Sequence, residues 1–155
     1  MERERAVRFE LNGESLERRL PVNESLLNVL RYELGATEVK NGCEKGDCGA
    51  CVVLVDGQAE NTCCMLAVQA DGCDVTTIEG LAQDGELHPM QDAFRENHAL
   101  QCGFCTPGMV LSVRQLLKEN PRPSQHDIRR GIAGNLCRCT GYASIVRAVL
   151  DLTDE

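Results

Sequence analysis

The sequence contains no tryptophan, two tyrosines and three phenylalanines in 155 residues. Aliphatic side chains must therefore fill most of any core, and a small unit built from them needs a further staple. Long apolar runs are missing as well. Stretches such as Cys51 to Val55 and Met109 to Leu111 fall far short of the ~20 residues that span a bilayer. Positive charge is in deficit: 16 Lys and Arg stand against 24 Asp and Glu, for a net charge of −8 and a pI near 4.9. That balance argues against nucleic acid or an anionic membrane surface as a partner. The stretch from Met1 to Ala6 is charged, with neither an apolar h-region nor a cleavage site. The expectation is an unexported, cytoplasmic chain with no membrane insertion.

Cysteine is abundant instead, at ten residues. In a reducing compartment ten thiols do not form five disulfides. Metal ligation, catalysis and burial as small hydrophobes are the remaining uses, and spacing decides among them.

The apolar pattern divides the chain. Val7, Phe9 and Leu11 alternate with polar residues, Asn12-Gly13 is a hairpin turn signal, and Leu16 to Leu20 alternates again. Asn23 can cap a helix whose apolar face is Leu26, Leu27, Leu30 and Leu34, with Gly35 as its stop. Asn41 to Cys51 has no periodicity and three glycines. Val52 to Val55 reads as a short buried strand. Asp56-Gly57 turns it into a second hairpin ending near Cys63, and a last strand lies at Val75 to Ile78. From about Leu81 the spacing becomes helical. Helices are expected over His88 to Asn97, from Thr106-Pro107 onward, from Ser124 with Asp127 in a near capping box, and from Ala143 to Leu152. The expected class is α+β. Residues 1–80 form one domain, a linker lies near 80–88, and residues 81–155 form a helical domain.

Two cysteine constellations sit in this frame. The first is Cys43-x4-Cys48-x2-Cys51, with Cys63 eleven residues further on. Three thiols in one loop, with Gly42, Gly46 and Gly49 to let the backbone wrap closely, match the plant-type [2Fe–2S] spacing. Zinc sites more often pair two separate C-x2-C knuckles. The second is Cys102-x2-Cys105 followed by Cys137-x-Cys139. Its spacing alone leaves structural zinc and an iron–sulfur cluster both open. Both pairs lie just before a helix N-terminus, where negative charge is favoured; this suits any metal–thiolate centre. Cys63 and Cys64 are adjacent, and either could be the fourth thiol of the first set. If that segment is a strand, only one of them can face the loop. Cys73 reads as an ordinary buried or half-buried thiol. His88, His98 and His126 match no ligand spacing and read as surface or capping residues. Arg138, between two cysteines, is either a solvated charge or a local counter-charge. No residue has the look of a substrate base or nucleophile.

Three segments carry a resemblance. Gly42-Cys-Glu-Lys-Gly-Asp-Cys-Gly-Ala-Cys51, Gln101-Cys-Gly-Phe-Cys-Thr-Pro-Gly108 and Gly134-Asn-Leu-Cys-Arg-Cys-Thr-Gly-Tyr142 together resemble the small iron–sulfur subunit of the molybdenum hydroxylases. That family comprises xanthine dehydrogenase, aldehyde oxidase and aerobic carbon monoxide dehydrogenase, and the likeness runs from about Val7 to Leu150. It implies a β-grasp, plant-type ferredoxin-like domain with a [2Fe–2S] cluster on Cys43, Cys48, Cys51 and Cys63. It also implies a four-helix-bundle domain, with two longer and two shorter helices, holding a second [2Fe–2S] cluster on Cys102, Cys105, Cys137 and Cys139. Cys64 departs from the family pattern, which has no cysteine there.

By the same resemblance, Gln101 and Cys139 contact the molybdopterin cofactor of a large catalytic subunit. Electrons then pass to FAD on a medium subunit or to another acceptor, within a heterotrimer or its dimer. The implied function is single-electron relay, with no chemistry on substrate in this chain. Two rival functions are weaker. A free-standing ferredoxin leaves the second cysteine set unused, and a zinc-stapled interaction module leaves the Gly-rich three-cysteine loop unexplained. The phrases His98-Ala-Leu-Gln-Cys102 and Asn120-Pro-Arg-Pro-Ser124 lean toward the carbon monoxide dehydrogenase branch.

Overall fold

A computed structural model describes residues 3–153. The chain opens with a hairpin, β1 (Glu4–Leu11) and β2 (Glu14–Pro21), in the register Val7↔Arg18 and Phe9↔Leu16. Asn12 and Gly13 both take positive φ, as a two-residue primed turn requires. Asp56 and Gly57 do the same between β3 (Val52–Val55) and β4 (Gln58–Asn61). With β5 (Asp74–Thr76) the strands form one sheet in the order β2-β1-β5-β3-β4. Only the β1–β5 pairing is parallel.

One short helix, α1 (Leu26–Asn28), packs on this sheet and widens into a π-type turn over Val29–Glu33. Its cap is Ser25, two residues beyond the Asn23 that spacing favours. Ser25 Oγ accepts from the Asn28 N–H at 3.2 Å. The reason is tertiary. Ser25 bridges Leu66 as extended backbone, while Leu26 N–H donates to Met65 C=O and Ala67 N–H to Glu24 C=O. Backbone tied in this way cannot turn helical before Leu26.

Four helices follow: α2 (Pro89–Glu96), α3 (Thr106–Glu119), α4 (Gln125–Gly131) and α5 (Ala143–Asp151). The near capping box at α4 closes fully. Ser124 Oγ accepts from Asp127 N–H at 3.2 Å, and Asp127 Oδ2 accepts from Ser124 N–H at 2.9 Å. Among the described residues, no helix is long and apolar enough to cross a membrane.

There are two cores, and β3 belongs to both. Val53 and Val55 join Val7, Phe9, Leu26, Leu30 and Val75 under α1. Val52 and Leu54, on the opposite face, join Phe94, Met109, Val113, Ile128 and Ile145 among the helices. Alternation along a strand sends successive side chains to opposite faces. All four residues of β3 are buried because α3 covers the face that α1 does not.

Candidate metal centres

The loop before β3 curls because Glu44, Gly46 and Gly49 all take positive φ. The curl turns backbone N–H groups toward sulfur. Cys43 Sγ accepts from the Cys48 N–H at 3.4 Å, and Cys48 Sγ from the Ala50 N–H at 3.5 Å. Backbone N–H donors, that of Lys45 foremost and then that of Cys48, bring the Cys43 thiol down to about 7. Such donors favour the thiolate, the form that binds metal. Cys51 is buried at the loop's end, where its carbonyl accepts from the Thr62 hydroxyl at 2.8 Å. Cys63 meets Cys51, and its thiol is pushed up to about 12, first by burial and then by Cys51.

The second set is assembled from two loops. Cys102 and Cys105 precede α3; Cys137 and Cys139 precede α5. Cys139 and Cys102 lie with sulfurs 3.6 Å apart, and both are exposed. Cys105 is buried and faces Cys137; burial first, then Cys137, pushes its thiol up to about 12. Burial raises the Cys137 thiol too, but hydrogen bonds outweigh it and the net shift is downward. The largest of these comes from the Thr140 hydroxyl, 3.2 Å from its sulfur. Gln101 Nε2 donates to the Cys139 carbonyl at 3.1 Å, tying one cysteine pair to the other.

Cys102 and Cys139 thus meet sulfur to sulfur, as Cys63 does with Cys64 at 3.7 Å, while Cys43 lies near Cys48, Cys51 near Cys63 and Cys105 near Cys137. Two sulfurs on one tetrahedral metal, each ~2.3 Å from it, lie ~3.7 Å apart. Two pairs per site suit a dinuclear cluster, in which each iron takes two thiolates.

The two sites are joined. Leu136 N–H donates to the Cys48 carbonyl at 2.8 Å, and buried Asn135 Nδ2 donates to the Gly49 carbonyl at 3.1 Å. Gly49 and Gly108 have no room for a side chain. A Cβ on Gly49 would lie 2.3 Å from the Gly134 carbonyl oxygen, and one on Gly108 2.2 Å from that of Gly49.

Comparison with known proteins agrees with this geometry. Residues 9–74 match the 2Fe-2S iron-sulfur cluster binding domain, and residues 77–150 the [2Fe-2S] binding domain. The nicotinate dehydrogenase small FeS subunit of Eubacterium barkeri is 48% identical over 143 residues, covering 92% of this chain and 91% of that one. The crystal structure of quinoline 2-oxidoreductase from Pseudomonas putida 86 superposes with a TM-score of 0.93 at 45% identity, over 97% of this chain and 93% of its counterpart. The chain belongs to the small iron–sulfur subunits of the molybdenum hydroxylase family. Aldehyde oxidoreductase from Desulfovibrio desulfuricans also matches, with a TM-score of 0.90 and 42% identity over 96% of this chain. There the match occupies only 17% of a longer polypeptide.

As a small iron–sulfur subunit the chain is an electron-transfer component of an oxidoreductase with two [2Fe–2S] clusters. Its residues fit that cargo. Thr106 Oγ1, beside Cys105, is a buried side-chain oxygen without a partner, and a cluster sulfide is an acceptor of the kind it lacks. A Cβ at Gly42 would lie 2.8 Å from Cys48 Sγ, so the glycine leaves that sulfur its place.

Several residues that shape the sites carry little signal in sequence. Thr140 bonds the Cys137 sulfur, and Tyr142, at φ +68, accepts the Cys137 N–H on its hydroxyl at 2.7 Å. Asn135 looks like an ordinary polar loop residue until its burial is seen, and Thr106, expected to cap α3, is instead its first helical residue after Cys105, with Oγ1 buried. Arg138 is exposed. His88 is a cap: its Nδ1 accepts from the Met90 N–H at 3.2 Å. Cys73 lies apart, its sulfur 3.7 Å from the Gln69 carbonyl.

Proposed function

We propose that Cys43, Cys48, Cys51 and Cys63 hold one [2Fe–2S] cluster and that Cys102, Cys105, Cys137 and Cys139 hold the other. The two sites correspond to domains 1–80 and 81–155. Bound there, the clusters supply one-electron redox chemistry. The residues set where electrons enter and leave. Exposed Cys102 and Cys139 form the outer pair of the helical-domain site, with Gln101 held against Cys139. Buried Cys105 and half-buried Cys137 form the inner pair. From that inner side, the Leu136 N–H, one residue before Cys137, donates to the carbonyl of Cys48. This outer-to-inner polarity is the observation that carries the reading. A molybdopterin-bearing large subunit docks at the Gln101–Cys139 rim. The N-terminal cluster then delivers to FAD on a medium subunit or to another acceptor.

Separate subunits and one long chain offer the same arrangement, since the aldehyde oxidoreductase match lies inside a larger polypeptide. Nicotinate and quinoline in two relatives' names support N-heteroaromatic rings as the substrate class of the assembly, with aldehydes, named in another, as the second reading. The assembly works in the cytoplasm. Anaerobically purified protein should carry about four iron and four acid-labile sulfide per chain, two of each per cluster. One zinc per chain in place of half the iron would contradict the second cluster.

A further inference from the structure

The adjacent thiols Cys63 and Cys64 do not face opposite ways. Strand alternation would separate them, but β4 ends at Asn61 and residues Thr62–Cys64 form a 3₁₀ turn. In that turn the two sulfurs lie 3.7 Å apart. This is the separation of two thiolates on one tetrahedral metal, and within 0.1 Å of the 3.6 Å between Cys102 and Cys139. Both thiols also look onto the same piece of the cysteine loop. The backbone N–H of Gly46 lies on the side of the Cys63 sulfur and favours its thiolate. A Cβ on that same glycine would lie 2.9 Å from Cys64 Sγ. The N-terminal site therefore has a fifth thiol at its edge, where a [2Fe–2S] cluster takes four.

We propose that Cys64 is a reserve ligand of the N-terminal cluster, able to take the iron position of Cys63. Cys63 is half-buried against Cys51, whereas Cys64 is exposed on the solvent side of the same turn. The exchange breaks one iron–sulfur bond and forms another. Cys64 gives up its thiol proton as it binds, Cys63 takes one as it leaves, and no electrons change hands. The turn supplies the means, because the two Cα atoms are neighbours and the sulfurs already stand a ligand's width apart. This role rests on the two-cluster assignment, and the helical-domain cluster serves as an internal standard for that assignment.

The test compares the full chain with its Cys63→Ala, Cys64→Ala and doubly substituted forms, all loaded anaerobically with iron and sulfide. Cys64→Ala should keep about four irons, two per cluster, with an unchanged spectrum. Cys63→Ala should also keep about four, with a shifted EPR signal for one cluster only. The double variant should fall to about two. Loss of the N-terminal cluster from Cys63→Ala as complete as from the double variant would overturn the reserve role. Fewer than four irons in the unsubstituted chain would instead count against the two-cluster assignment.

Cys63→Ser provides the second arm should the alanine variant not fold. It should retain the resonance Raman pattern of an all-thiolate cluster, and Cys64 should become protected from iodoacetamide. A serine-ligated spectrum with Cys64 still alkylated would overturn the proposal.

Discussion

His88 meets a donor on each ring nitrogen: the Met90 N–H at Nδ1, and Arg114 Nη1, 3.1 Å from Nε2. A neutral imidazole can accept at only one nitrogen at a time, and an imidazolium at neither. Burial first, and the Arg114 charge second, lower its pKa from the ordinary 6.5. The unfolded chain therefore takes up this proton before the folded one. The cap's contribution is whole above pH 6.5 and is lost as pH falls through the lower folded value. His88→Asn keeps a capping side chain without the titration. Thermal denaturation between pH 7 and 5.5 should show a smaller acid loss in that variant, by up to the ~1 kcal/mol of a cap. An identical slope in both proteins would remove His88 from the pH response.

Asn135 is the other single residue with a sharp consequence. Its amide is buried and donates to the Gly49 carbonyl. Asn135→Ala removes that bond and leaves the Gly49 carbonyl only the longer one from the Val52 N–H at 3.4 Å, at a cost of about 1 kcal/mol. Urea denaturation of the loaded chain measures it, and a change near zero would mean that the tie between the sites is not structural. The sequence marks His88 as a surface or capping histidine, as the fold bears out, but gives Asn135 no role; the burial and partner of each come only from the fold.

At the scale of elements, what could be read was what local chemistry decides. Asn12-Gly13 and Asp56-Gly57 lie at the two hairpin turns because both positions of each need positive φ. The four later helices fall within a residue or two of their apolar stripes and caps. What could not be read was set by distant partners. The bridge from Ser25 to Leu66 delays α1 by two residues. The 3₁₀ turn after β4 undoes the alternation that would part Cys63 from Cys64. The contact of α3 with β3 was equally hidden, since a run of four buried residues does not say what lies on each face.

That contact makes Gly108 sensitive. A methyl there meets the Gly49 carbonyl, which is backbone and cannot rotate aside. Gly108→Ala should destabilise by about 1–3 kcal/mol, the range for overpacking, and loosen the cysteine loop before β3. Amide hydrogen exchange at Cys48 to Cys51 would report it. Unchanged protection in that loop would mean that the helix and loop move independently.

Across the whole molecule, the two cysteine sets are held in a fixed relation by Leu136 to Cys48, Asn135 to Gly49 and the Gln115 side chain on the Ala59 N–H at 2.5 Å. Such rigidity matters for a relay, because the groups that hand on an electron must keep their spacing. The identity of the relay was legible from three motifs in order, and the resemblance they carry implies its direction; the exposure of Cys102 and Cys139 in the folded chain supports the proposed entry there. The most direct measurement is rapid-mixing EPR on the assembled enzyme with Cys43 and Cys48 both replaced by serine. Substrate should still reduce the cluster of Cys102, Cys105, Cys137 and Cys139, and delivery to FAD or the final acceptor should stop. Normal onward transfer in that variant, or an unreduced helical-domain cluster, would contradict the route from the exposed Cys102–Cys139 rim through Cys137 to Cys48.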